Sequence, residues 1–561
     1  MEERLKALAI WLLGPETALG SLRRALRGAI AEPSEAPATH LWPRWLFLRA
    51  LGFIYFSAFY SLAFQIKGLI GPDGILPAGD YLQAVGAAFH ARRFWFAPTL
   101  LWLGSSDHAL MLLVWVGLIA SVLLFLNVWP RATLAICFVC FLSFVVAAQD
   151  FSGYQSDGML LEAGFLSLFF APPGTWPGLG RRHAPSRASL FLLQWEWFRI
   201  YFQSGAGKLL SHDLSWRNLT AMDDYYQNCP LPTWIGWYTQ HLPHWFHAGT
   251  VIFTFAAELV LVWTLFLPRR FRIACFCIVT PFQIGIILTG NYAFLNYIVL
   301  ALGFLLLDDR VVEWLLPART LRPFRSRAAG SPSESEAQRS AGRRSAEGTF
   351  ARWRRVLSPV RMIAAGVILG ALFFVSASQV LGMFTPSPPP GQTLAEDVAP
   401  LRISNSYGLF ERMTHVRYEI EFQGSYDGRT WRVYPFRYKP QDPNAAPGIY
   451  SPYQPRFEWN LWFASLGRWQ QYHFVVWTEE RLLGNNPDVI ELFAANPFGS
   501  QPPKIVRTVI YQYWFTTLAE KRATGAWWRR ELLGVYCPPL GREPDGRIGV
   551  LDLPLANPPL P

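Results

Sequence analysis

Six ionisable residues stand inside long apolar stretches of the chain: Lys67, Glu162, Glu196, Arg199, Lys208 and Glu258. A charge placed in lipid is expensive, so each needs a partner, a polar cavity or a way out to water. Glu196 and Arg199 are three residues apart, the spacing of a pair on one helix. Lys67 and Lys208 fall near helix ends, where a lysine reaches water along its own alkyl stem. Glu162 and Glu258 have no such escape. With Asn291 and Asn296 they make a polar layer within the membrane. Two readings of it stand: a site between helices near the outer edge of the bilayer, or a set of structural ion pairs.

Soluble-enzyme patterns are missing. Gly207-Lys208 would belong to a phosphate loop only with Gly where Phe202 stands and Ser or Thr where Leu209 stands. There is no H-E-x-x-H, G-x-S-x-G or EF-hand loop. His241, His244 and His247 are spaced three apart, but Pro243 and aromatics interrupt them, so an interfacial loop is expected and no metal. Cys137 and Cys140 spell C-x-x-C among Ile, Phe and Val, without the positive charge that makes a thiolate. They are expected to pack toward lipid, and Cys275 and Cys277 likewise fall inside apolar runs. Cys229 and Cys537 alone are expected to face an oxidising compartment, and whether they pair stays open. No cofactor is expected.

These residues need a frame of helices. Of the 561 residues 52% are hydrophobic and 16% charged, against about 25% charged in soluble proteins. Runs approaching the ~20 residues of a spanning helix recur at 45–69, 109–128, 132–148, 158–171, 188–209, 248–267, 272–289, 292–307 and 360–384, about nine in all. Charge between the runs gives the orientation. Arg23, Arg24, Arg27, Arg44, Arg131, Arg181, Arg182, Arg187, Arg269 and Arg270 fall on one side if nine helices alternate, with the arginine-rich stretch 308–358. Loops 70–108, 149–157 and 210–247 hold Asp73, Asp80, Asp107, Asp150, Asp157, Asp213, Asp223 and Asp224. The positive-inside rule then puts the N-terminal segment 1–44 and the basic linker 308–358 in the cytoplasm, and everything after the last helix, 359–385, outside it. The net charge of +11 is thereby topological, and no nucleic-acid partner is expected. The linker's middle is too polar to bury a core and reads as disordered.

The expected fold class is a polytopic α-helical membrane domain, 45–307 plus the last helix, followed by an exoplasmic α+β, β-rich domain, 386–561. Prolines 386 and 388–390 make a stiff spacer. Residues 419–438 read as two strands about an Asp427-Gly428 turn, with Tyr418, Ile420 and Phe422 facing Trp431 and Val433. Ile505 to Phe515 reads as further strand; W-N-L-W-F-A-S-L-G-R-W and P-D-V-I-E-L-F-A-A-N-P-F read as helices. About 170 residues suffice for a core of its own.

The edge at 199–247 ties the halves together. An aromatic helix turns just past Lys208 into a loop rich in Asp, His, Trp and Pro, as at a membrane surface. Trp216, Trp234, Trp237 and Trp245 are expected in the interfacial belt, and Asp213, Asp223 and Asp224 in water. Asn218-Leu219-Thr220 there is a glycosylation sequon.

W-R-N-L-T-A-M-D-D-Y-Y-Q-N-C-P-L-P, then Y-x-x-H-x-P-H-W-F-H, Glu258, T-G-N-Y-A-F-L-N-Y and Asp308-Asp309 resemble the lipase maturation factor family. So do N-S-Y-G-L-F at 405–410, W-x-x-Y-x-F-R-Y-K-P at 431–440, S-P-Y-Q-P-R-F-E-W-N-L-W-F-A at 451–464 and A-N-P-F at 495–498. The resemblance implies a membrane-anchored folding factor that helps secreted lipases, or related exported clients, assemble. It implies an endoplasmic reticulum membrane with the C-terminal half lumenal in a eukaryote, and an inner membrane with that half periplasmic in a bacterium. Client-facing residues are then expected at Trp216, Arg217, Asp223, Tyr225, Tyr226, Pro230, His244, Trp245, Asn405, Tyr407, Trp459, Trp462, Phe463, Asn496, Pro497 and Phe498. Exposed Trp459, Trp462 and Phe463 would grip apolar segments, unless they fill the domain's own core. Membrane lipid is the other expected partner. F-x-x-G-A-G-K-L and G-L-I-G-P-D-G-I-L-P are also similar to the vitamin K-dependent gamma-carboxylase. That likeness implies an alternative, an enzyme using Lys208 as base on a quinone- or lipid-like substrate.

Overall fold

The computed structural model describes residues 39–315, 350–543 and 547–552. Most of the N-terminal segment and most of the basic linker lie outside them. A helix covers each of the nine apolar runs: α1 Leu41–Ala63, α2 Asp107–Phe125, α3 Pro130–Ala147, α4 Gln155–Phe170, α5 Arg187–Leu210, α6 His244–Phe255, α7 Arg269–Thr289, α8 Leu295–Gly303 and α9 Phe350–Gly382. The first run is broken, because α1 ends at Ala63 and a separate short helix follows at Ile66–Ile70.

Among the described residues six helices are long and apolar enough to cross a membrane: α1, α2, α3, α6 with its continuation to Phe266, α7, and α9 from Val360. Of the remaining three, α4 and α8 are short, at 16 and 9 residues, and α5 differs in its polar side chains. A helix that faces lipid must be apolar all round, whereas one enclosed by protein can carry polar groups that find partners. α5 has Glu196, Arg199, Gln203 and Lys208, all buried. It lies between α4, α8, α9 and the end of α6, while α7 and α9 bury few of their residues.

The C-terminal half forms an antiparallel sheet of order β2-β1-β3-β4-β5: β1 Arg417–Ser425, β2 Arg432–Val433, β3 Ile505–Phe515, β4 Trp528–Arg542 and β5 Ile548–Val550. The hairpin about Asp427-Gly428 forms, but its return strand is only two residues long, and β1 takes its main partner from β3, Arg417 opposite Tyr513 through Ser425 opposite Ile505. The β3–β4 register shifts between Val506 and Thr508, opposite Pro538 and Pro539, which have no amide hydrogen for the ladder. Helices α10, Arg456–Ser465, and α11, Phe474–Leu483, cover the sheet. The second expected helix shrinks to Pro487–Ile490, and α11 forms ahead of it in the chain.

No separate core divides the halves. One apolar cluster runs from α1 through α5 and α8 into β1, β3 and α10. Phe151 meets Phe474 at 5.4 Å and Tyr292 meets Trp459 at 6.4 Å across the boundary. The cysteines share in this packing: Cys137, Cys140 and Cys275 are buried between helices rather than turned to lipid, and Cys277 is exposed. Cys229 and Cys537 are buried and unpaired, so neither stands ready for an oxidising solvent.

Candidate functional site

α5 sets out its polar side chains along the face that receives the segment 405–411. At its middle the Arg199 guanidinium pairs with Glu162 of α4 and donates to the Asn405 carbonyl at 2.7 Å. Glu162 also accepts from the Asn405 amide at 3.0 Å and the Tyr407 hydroxyl at 2.8 Å. Further along α5, the Tyr407 amide donates to Gln203 and the Leu409 amide to the Ser204 hydroxyl. Lys208 donates to both oxygens of Glu258, at 2.9 and 3.0 Å, and to the Leu409 carbonyl at 2.9 Å. Trp216 and Ser211 then hold the carbonyls of Phe410 and Glu411 at 3.0 and 2.8 Å. The stretch N-S-Y-G-L-F is thus an extended strap laid in step with α5.

Two local features allow this. A Cβ on Gly205 would stand 2.8 Å from that of Glu258, so glycine lets α5 and the end of α6 approach closely. Ala256–Val260 forms a π-turn, a local widening often found at functional sites, and it holds Glu258 against Lys208.

The expected pairing is corrected on both sides. Arg199 pairs with Glu162, not with Glu196, whose two carboxylate oxygens are buried without a hydrogen bond. Lys208 does not snorkel: it is buried against Glu258 and 5.1 Å from the Trp216 ring. Lys67 alone of the two lysines keeps a substantially exposed side chain.

Three more seams join the halves. Arg456 of α10 makes a two-pronged bond to Asp157 at the start of α4, at 2.7 and 2.8 Å, and reaches the Phe151 carbonyl at 3.0 Å. Asn291 accepts from the amides of Tyr450 and Ser451 at 2.6 and 3.0 Å and donates to the Gly448 carbonyl at 2.9 Å. Arg417 of β1 donates to the carbonyls of Gln227, Cys229 and Pro230 and pairs with Glu419. Nearby His415 meets Asp224 at 2.9 Å, and Asp213 accepts the Met413 amide at 2.7 Å, so these two aspartates serve the seam as well as water. The amide bonds and the Ser215 hydroxyl hold the Asp213 carboxyl below its ordinary range despite burial. Asn296 takes a different part, bonding Gln283, which in turn donates to Tyr201.

An apolar cavity of about 380 Å³ lies beside the Lys208–Glu258 pair, walled by α6 and α7 and capped by Met222, Tyr225, Tyr226 and Leu242.

The residues expected to face a client fall into four places. Trp216, Tyr225, Tyr226, Pro230, Asn405 and Tyr407 line the cavity or the seam, and all but Asn405 are buried. Trp459 and Trp462 are buried too and Phe463 half-buried, so the expectation that they are exposed does not hold; Phe463 stacks on Tyr154. Phe498 is buried against Tyr426, with Pro497 accepting from Arg432 and Asn496 bonding Asn485, well apart from the strap. Arg217, His244 and Trp245 are exposed, and His244 meets Asp223 at 2.9 Å. Of the interfacial tryptophans Trp234 and Trp245 are exposed, whereas Trp216 and Trp237 are buried. His241 and His247 bond backbone carbonyls, and no group of three metal-binding side chains occurs among the described residues.

Sequence reasoning missed Asp157, Arg417, Glu419, Lys439 and Arg456. Each was legible only as a charge in a loop or strand. A signal existed for Lys439 and Arg456, which sit inside motifs already singled out.

Fold and seams define a helical integral membrane protein whose C-terminal half is built into the membrane half. The chain matches the family model for the lipase maturation factor transmembrane domain over residues 42–314 and that for the lipase maturation factor C-terminal domain over 403–538. It is 33% identical to lipase maturation factor 1 of Bos taurus, over 93% of this chain and 92% of that one. It is 33% identical to lipase maturation factor 2 of Gallus gallus, over 88% and 81%, and 30% identical to lipase maturation factor 1 of Homo sapiens, over 92% and 91%. The chain belongs to the lipase maturation factor family. No solved structure matches it.

Proposed function

We propose that this protein is a membrane-embedded factor that brings secreted lipases, or related exported proteins, to their active folded state. The observation that carries the reading is likeness to named maturation factors over more than nine tenths of the chain, through both halves. A chaperone-like role also suits the geometry, because Glu162, Arg199 and Lys208 are spent on holding the C-terminal half in place. In this reading all nine helices span, the N-terminus is cytoplasmic, and the C-terminal domain from 386 lies in the lumen of the endoplasmic reticulum or in the periplasm. Exposed Arg217, Trp234, Tyr238, His244 and Trp245 then form the client-facing rim beside the bilayer.

The test is to express the chain in secretory cells lacking their own maturation factor and measure lipase activity per mass of lipase secreted. A rise in activity per molecule supports the reading, and an unchanged ratio overturns it. A reporter fused after Pro561 tests the orientation, and a cytosolic signal overturns that part.

A further inference from the structure

The cavity beside the Lys208–Glu258 pair has a chemistry that selects its occupant. Its α6 wall presents Phe246, Thr250, Thr254 and Glu258, four residues apart in turn, and its α7 wall presents Phe282, Gly285, Ile286 and Thr289. The threonines do not make it polar. Thr250 and Thr254 donate to the carbonyls of Phe246 and Thr250, and Thr289 donates to Gly285, each within its own helix. Their hydroxyls are thereby already bonded within the helix. The charged pair at its end is also spent: Lys208 gives its protons to Glu258 and Leu409, leaving no free cation for a phosphate or a free carboxylate.

Both walls belong to helices fit to cross a membrane. Leu288 lines the cavity yet is 41% exposed, and Gly285 is exposed beside it, so the cavity reaches the outer surface of the bundle. The neighbouring outward residues are Ile252, Phe253 and Ile284, all apolar. A dry cavity opening among such side chains is filled from the lipid phase and not from water. Its 380 Å³ lies within the roughly 300–1,000 Å³ of ordinary ligand sites.

We infer that the cleft between α6 and α7 is a binding site for one fatty-acyl chain of a bilayer glycerolipid, seated between the two helices with its headgroup left at the membrane surface. The site stands on the walls alone and does not depend on the client.

The test uses the full chain in phosphatidylcholine vesicles carrying a trace of phosphatidylcholine with a diazirine at the end of one acyl chain. After photolysis, crosslinked peptides are counted on the cavity walls and on the outward face of α9 at Met362, Ile363 and Val367, which reports ordinary contact with surrounding lipid. Wall labelling per residue is expected to exceed that on α9. In the double variant Gly285→Leu/Thr250→Leu wall labelling is expected to fall about tenfold, the scale of ~1.4 kcal/mol of lost binding, with α9 labelling unchanged. A Cβ at Gly285 meets no atom within 4 Å, so the leucine enters open space. Walls labelled no more than α9 overturn the inference, as does labelling that survives filling. Labelling by a free diazirine fatty acid but not by the phospholipid overturns the glycerolipid assignment. The ratio of wall to α9 labelling in the unaltered protein needs no variant and decides the matter alone.

Discussion

Lys208 is where a structural and a catalytic reading of the bundle part. Changing it alone to Ala leaves Glu258 buried and unpaired, a loss of about 3–5 kcal/mol whatever the lysine does. The single variant therefore cannot distinguish the readings. Replacing both partners by apolar residues of similar volume is often neutral, so Lys208→Met/Glu258→Met is expected to unfold near the parent temperature in detergent and to retain maturation of secreted lipase. A stable double variant without activity would give the lysine a chemical role. Glu458 offers a second residue-scale outcome. Burial pushes its carboxyl up from 4.5 to about 7, against the opposing pull of the 437–439 amides that donate to it. The folded chain then holds a proton that the unfolded chain releases. Its stabilising contribution is complete below about pH 4.5 and lost as pH rises through 7, by up to about 3 kcal/mol. Unfolding temperatures from pH 5 to 8 should fall along that window in the parent and be flatter there in Glu458→Gln; parallel curves would contradict the assignment. Buried ionisable residues were legible because lipid makes them costly. Their partners were not, since spacing along one helix favours Glu196 for Arg199, and Glu162 lies on another.

At the scale of elements, the approach of α5 to the end of α6 rests on one small residue. Gly205→Leu is expected to force the helices apart at Glu258, with overpacking costing about 1–3 kcal/mol, and to loosen the strap at Leu409. Hydrogen exchange at the amides of 407–411 should quicken in this variant; unchanged protection would show that the strap is held independently of Lys208. The helices were legible at all nine runs because an apolar stretch of that length has few other homes. β3 was legible by its alternation of Val, Ile and Tyr. β4 was not: Arg529, Arg530 and Glu531 open it and Pro538-Pro539 interrupt it, so its strand character comes from pairing with β3. The polar face of β1 was equally hidden, for Glu419 and Glu421 look solvent-facing until Arg417, Lys439 and Arg530 close over them.

For the whole molecule, a change of composition after Pro386 suggests a tethered domain with its own core. The domain instead completes the bundle. Asp157, Glu162 and the Lys208–Glu258 pair all bond residues beyond 400, so the membrane half alone would leave Asp157 buried without Arg456, at several kcal/mol, and would strip the Glu162–Arg199 and Lys208–Glu258 pairs of hydrogen bonds. No single short motif announces this, because its parts lie some 200 to 300 residues apart in the chain. A protease site inserted between Ser331 and Ser345 separates the question of connectivity from that of packing. After cleavage in mild detergent the fragment ending near 331 and the fragment carrying α9 and the sheet are expected to co-elute as one particle with an unfolding temperature close to that of the intact chain. Variants Arg456→Ala and Arg199→Ala, each removing one partner of a buried pair, are expected to lower that temperature and, combined, to let the fragments part. Fragments that separate without any substitution would mean that the C-terminal half is only tethered, and the strap along α5 would lose its place as the joint between folding and function.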